Sequence, residues 1–143
     1  MEEYTHIGDS IVERYSVDFE NKKLTMCCVH WRGEGNSERE ETIVVFDNVL
    51  THLFVGINNE GNVLFDITEI TLDDLYSQFG HILDNYHFNF RSKEKLAQMI
   101  NNTCNIYLIN SSFGLYGMVI SESINFLCEG NKERKEDRQN ASA

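Results

Sequence analysis

In the stretch NVLFDITEIT, residues 62 to 71, two carboxylates, Asp66 and Glu69, stand among Val63, Leu64, Phe65, Ile67 and Ile70. Carboxylates in such a run can form an acid–base pair, bind a metal, or hold backbone groups. A glycosidase-type pair needs a cleft and one member with a raised pKa, and the sequence supplies neither. On a strand, Val63, Phe65 and Ile67 share one face and Leu64, Asp66 and Thr68 the other. Asp66 then belongs to the less apolar side. Glu69 falls just before a helix start, where an anion is stabilised by roughly 0.3–1 kcal/mol. Three roles stay open for the pair: structural, partner-facing, and catalytic with a histidine.

The other chemistry-bearing residues are scattered. His6, His30, His52, His81 and His87 fall in no H-E-x-x-H and beside no nucleophile motif. There is no G-x-S-x-G, no Walker loop and no G-x-G-x-x-G, so no cofactor is expected. Four cysteines without a C-x-x-C read as free thiols. Cys28 and His30 can share a strand face as half a metal site, but zinc needs more ligands than lie nearby.

Charge is more informative. The chain of 143 residues has a formal net charge of −11. Residues 1 to 130 hold 8 bases against 20 acids, a net of −12, and the remaining tail is mildly basic. From Glu40 to Phe90 there is no Lys or Arg, but nine acids: Glu40, Glu41, Asp47, Glu60, Asp66, Glu69, Asp73, Asp74 and Asp84. Such a chain repels phosphate backbones, which argues against nucleic acid, and attracts a basic protein. These nine are the expected partner-binding residues. An acidic surface that serves solubility alone is the competing explanation. No apolar run approaches the ~20 residues of a membrane span. The N-terminus MEEYTHIGDS is the reverse of a signal peptide, so a cytoplasmic protein is expected.

The elements that must position these residues read as follows. SIVERYSVDF (10–19) alternates as a half-buried strand, and KLTMCCVHW (23–31) completes a hairpin across ENKK. RGEGNSERE is a loop. ETIVVFDNVLTHLFVGI (41–57) exceeds a usual strand, with Asp47-Asn48 marking a bulge or a dividing bend. NNEGN turns the chain, with Gly61 placed for positive φ, and VLFDITEI follows. Leu72, Leu75, Tyr76, Phe79, Ile82, Leu83 and Tyr86 then set a helical period, capped by Thr71. A second helix starts at Ser92. NIYLINSS and FGLYGMVISESINFL return to strand, hinged at Ser111 to Gly114. Gly114 and Gly117 around Tyr116 suggest close backbone approach.

The order β-β-β-β-α-α-β-β argues one α+β domain over residues 1–130, with residues 131–143 a polar tail. A mainly antiparallel sheet with both helices on one face is expected.

The runs FDNVLTHLF, GNVLFDITEI and YLINSSFGLYGMVIS resemble small acidic immunity-like proteins of bacterial polymorphic toxin systems. That resemblance spans about residues 10 to 125. It implies a cytosolic, non-enzymatic inhibitor that covers a cognate toxin domain, and a basic toxin nuclease would suit the acidic block. A self-associating structural protein joined through a sheet edge, or a small enzyme using Asp66, Glu69 and a histidine, are the other readings.

Overall fold

The structure is a computed structural model that describes residues 2–85, 92–100 and 102–128. Seven strands and two helices follow in order: β1 (Glu3–Tyr4), β2 (Ile11–Asp18), β3 (Lys23–Arg32), β4 (Glu38–Val55), β5 (Val63–Ile70), α1 (Leu72–Asn85), α2 (Lys93–Ile100), β6 (Asn105–Phe113) and β7 (Tyr116–Cys128). The fold is α+β and dominated by antiparallel sheet, as expected. The order corrects the expectation at the N-terminus, where residues 3–4 add a short strand. The tail lies outside the described residues.

All pairings are antiparallel, in the order β1-β5-β2-β3-β4-β7-β6, and β5 also pairs with β6. The sheet therefore closes on itself as a six-stranded barrel, which removes most edges. The closing seam between β2 and β5 is thin. It rests on the Ile11–Val63 pair, with Val12 N–H donating to the Asn62 carbonyl and Leu64 N–H to the Ser10 carbonyl. β1 continues along the same edge of β5, with Glu3 opposite Thr68 and Tyr4 opposite Ile67.

The closed topology explains why hydrophobic alternation is clean in some strands and blurred in others. Inside the barrel pack Val12, Leu24, Met26, Cys28, Val44, Phe46, Leu64, Ile67, Tyr107, Ile109 and Val119, drawn from all six strands, with Ile7 beneath them. On β6 and β7 the other face is also apolar. Ile106, Leu108, Met118 and Ile120 pack outward against Leu75, Phe79 and Leu83 of α1 and Leu96 of α2. Both helices thus cover one wall, and strands beneath them are buried twice.

β4 runs unbroken for 18 residues. At the Asp47-Asn48 signal Asn48 has φ 51°, and the β4–β7 register shifts just beyond it, between Val49 and Thr51. Gly61 does not take the positive φ expected of it; Gly56 does, at 68°. The 56–62 loop is instead held by Asn62, whose Oδ1 accepts from Asn58 N–H at 3.0 Å and Leu115 N–H at 2.9 Å. Close approach at the β7 start is real: a Cβ on Gly117 would lie 1.9 Å from the Leu53 carbonyl oxygen. The hinge between β6 and β7 falls at Gly114, φ 85°.

Both helix starts are capped by the residues the sequence nominates. Asp74 N–H donates to Thr71 Oγ1 at 3.1 Å while Asp74 Oδ2 accepts from Thr71 N–H at 3.4 Å, a reciprocal capping box. Lys95 N–H donates to Ser92 Oγ at 3.2 Å. Tyr86, the last residue of the expected helical stripe, is outside the described residues.

Candidate partner-binding site

β5 separates the two carboxylates that raise the question of catalysis. Register shifts at Val63/Leu64 and Leu64/Asp66 make Phe65 a bulge residue, 63% exposed, and turn both Leu64 and Ile67 into the barrel. The expected sharing of one face by Val63, Phe65 and Ile67 is therefore broken. Asp66 lies opposite Asn110, on the side of β6 that also carries Ile106 and Leu108. It is only 5% exposed, and its Oδ1 accepts from Thr68 Oγ1 at 3.1 Å and from Asn110 Nδ2. Glu69 lies opposite Tyr107, on the other face of the strand. The two carboxylates do not share a site.

The remaining acids fall into distinct settings. Glu40 pairs with Arg32 at 2.8 Å, and Asp47 with Lys23 at 3.6 Å. Glu41 meets Arg39 at 3.2 Å and Arg14 at 3.5 Å and accepts the Cys27 thiol at 2.8 Å. The thiol donation first, then Arg39 and Arg14, hold the Glu41 carboxyl below its ordinary range. The cations thus come from outside the base-free block: Arg14, Lys23 and Arg32 across the sheet from β2 and β3, and Arg39 from β4 itself. Glu60 is exposed in the 56–62 loop. Asp84 belongs to α1, but its side chain is outside the described residues.

Where β5 passes into α1, Glu69 lies near the end of the strand and Asp73 and Asp74 open the helix, each with its own partners. Asp73 is joined to Lys93 of α2, whose Nζ also stands 5.8 Å from the Tyr76 ring centre. Asp74 is committed to the cap. Glu69 is joined by Glu2, since Glu69 N–H donates to the Glu2 carbonyl at 2.8 Å. Glu2 and Tyr4 escape sequence reading because a two-residue strand carries no periodicity; their position follows from β1 lying on β5.

Beside this junction opens a cleft of about 420 Å³ between the end of β5, α2 and the start of β6. Ile70, Leu72, Ile100 and Ile106 supply apolar wall; Glu69, Thr71, Asn102, Cys104 and Asn105 supply polar groups. The local field is negative. Burial first, then a hydrogen bond with Glu2 and the charges of Glu2 and Glu69, push the Tyr4 phenol above its ordinary range. Burial and the same two carboxylates also raise Tyr107, against a hydrogen bond from Asn105. An apolar cleft with one acid, Glu69, in its wall suits a long side chain that buries a methylene stem and carries a cationic head.

Among the described residues no group of three or more His, Cys, Asp or Glu is arranged to hold a metal. Burial pushes the Cys28 thiol up to about 12, which disfavours the thiolate a metal would need beside His30. No helix of the described residues is long and apolar enough to cross a membrane. No family model, curated protein or solved structure matches the chain.

Proposed function

We propose that this chain is a non-enzymatic binding protein of immunity type, acting in the cytoplasm, that covers a basic toxin domain through its anionic surface. The cleft with Glu69 in its wall receives a lysine or arginine of that partner. The observation that carries this reading is an apolar cleft with Glu69 in its wall, Glu69 N–H being hydrogen-bonded to the carbonyl of a second acid, Glu2. The net charge of −11 adds long-range attraction for a basic surface. Glu40, Glu41 and Asp47 are tied to their own cations and serve as rim, contributing little each. Asp66 and Asp74 act through the fold, by fixing β5 to β6 and starting α1.

The test is to search the genes neighbouring this chain's for a basic toxin domain and to co-express the two. Growth should be rescued by the wild-type chain and lost when Glu69→Lys reverses the rim charge in a protein that still folds. Rescue that is indifferent to Glu69→Lys and to Glu2→Lys would refute the assignment of the cleft.

A further inference from the structure

We propose that a second cavity, between the β2–β3 turn and β4, binds a small aromatic carboxylate. The cavity holds about 330 Å³ and shares no lining residue with the cleft beside Glu69. It follows from the unequal reach of two strands. The β3–β4 pairing ends at Leu24–Phe46, whereas β4 runs on beside β7 to Val55. The turn that joins β2 to β3 therefore stands against the continuing part of β4, and Val49 N–H donates to the Lys22 carbonyl at 2.8 Å. Asp18 closes the turn by accepting from Asn21 N–H at 3.1 Å and from Asn21 Nδ2 at 2.7 Å.

The walls combine apolar surface, open rings and positive charge. Val17 from β2 and Leu50 from β4 are half-buried. Phe19 is 82% exposed, an aromatic ring left open beside them. His52 adds a second ring, 5.5 Å from the Phe54 ring centre, and its burial keeps it neutral at pH 7. Lys22 and Lys23, the only adjacent lysines of this acid-rich chain, supply the charge. Lys23 is shared with Asp47 at 3.6 Å, but Lys22 forms no ion pair among the described residues. The Asp18 carboxylate also lines the cavity, with both oxygens engaged by Asn21. A few polar groups placed on apolar walls set the orientation of a small ligand. Here they fit a flat apolar body carrying one negative charge. A carboxylate suits a single ammonium better than a phosphate does, because no arginine fork lines the cavity.

Titration of phenylacetate into the isotopically labelled full-length chain, with chemical shifts as the readout, tests the site. Saturable shifts should centre on residues 17–23 and 49–52. Phenylacetamide keeps the ring without the charge, and acetate keeps the charge without the ring; each should bind roughly tenfold or more weakly. Lys22→Glu should weaken phenylacetate binding by roughly the same factor, whereas Lys22→Arg should retain it. The Lys22 side chain is exposed and only its backbone serves the turn, so both variants keep the fold. The proposal is overturned by the absence of saturable shifts, by shifts centred elsewhere, by phenylacetamide binding as well as phenylacetate, or by Lys22→Glu binding as wild type does.

Discussion

The amide of Glu69 donates to the carbonyl of Glu2 across 2.8 Å, and Glu69 Oε2 stands 3.5 Å from the Glu2 amide nitrogen. This places two acids, one just before β1 and one near the end of β5, at the same end of the β1–β5 pair, close to Tyr4 and Tyr107. If their charges raise the Tyr4 phenol beyond what burial does, neutralising them must bring it back toward its ordinary value. Ultraviolet titration of phenolate formation in Glu69→Gln and Glu2→Gln should show Tyr4 ionising at lower pH than in wild type. An unchanged titration would remove the electrostatic part of the site.

The helix start beside the cleft depends on Thr71. Its hydroxyl accepts from Asp74 N–H at 3.1 Å. Thr71→Ala should cost about 1 kcal/mol of stability, measured by urea denaturation, while Thr71→Ser should be near neutral. An Ala variant as stable as wild type would mean that packing of Leu75 and Phe79 alone fixes the helix.

Gly117 allows β4 and β7 to approach where the helices press on them. A Cβ there would meet the Leu53 carbonyl oxygen at 1.9 Å, and backbone cannot yield as a side-chain tip can. Gly117→Ala should destabilise by roughly 3 kcal/mol or more, at the upper end of overpacking costs, and reduce soluble yield. Gly35→Ala is the comparison; although Gly35 has φ 65°, a Cβ there meets nothing within 4 Å, so the cost should be limited to backbone strain of about 1 kcal/mol.

His52 is half-buried, and burial lowers its pKa. The unfolded chain therefore binds a proton at higher pH than the folded one. Stability should be undiminished above the ordinary histidine pKa of about 6.5 and fall as pH drops through it toward the lower folded value. His52→Gln should flatten that part of the stability–pH curve, as read by thermal melts at successive pH values. An equal slope in the variant would assign it to another group.

Cysteine reactivity should divide by position. Burial, then the Glu41 carboxylate, pushes the Cys27 thiol up to about 11, and burial, then the neighbouring Cys27, takes Cys28 to about 12. Cys104 and Cys128 are half-buried. Timed alkylation with mass-spectrometric readout should modify Cys104 and Cys128 before Cys27 and Cys28.

How far the sequence revealed this molecule depends on the element. The helical period from Leu72 to Leu83 and the caps at Thr71 and Ser92 were legible because local rules govern them. The hairpin of β2 and β3 was legible from alternation. Closure of the barrel was not, because the seam hangs on one residue pair, Ile11 with Val63, and on a two-residue strand. The bulge at Phe65 was hidden too, since alternation assumes an unbroken pleat, and it reassigned Leu64 and Ile67 to a single core. The run of acids was visible, but not its neutralisation. Arg14 and Arg32 lie outside the base-free block and reach Glu41 and Glu40 only through the β2–β3–β4 register, while Arg39 reaches Glu41 along β4 itself.

The central claim is that the cleft beside Glu69 takes a cationic side chain. Titration of N-acetyl-arginine methylamide into isotopically labelled protein, followed by amide resonances at low salt, tests it most directly. Shifts should concentrate at Glu69, Thr71, Cys104 and Asn105, weaken with added salt and vanish in Glu69→Gln. Shifts spread evenly over the surface, or the same response in Glu69→Gln, would contradict it.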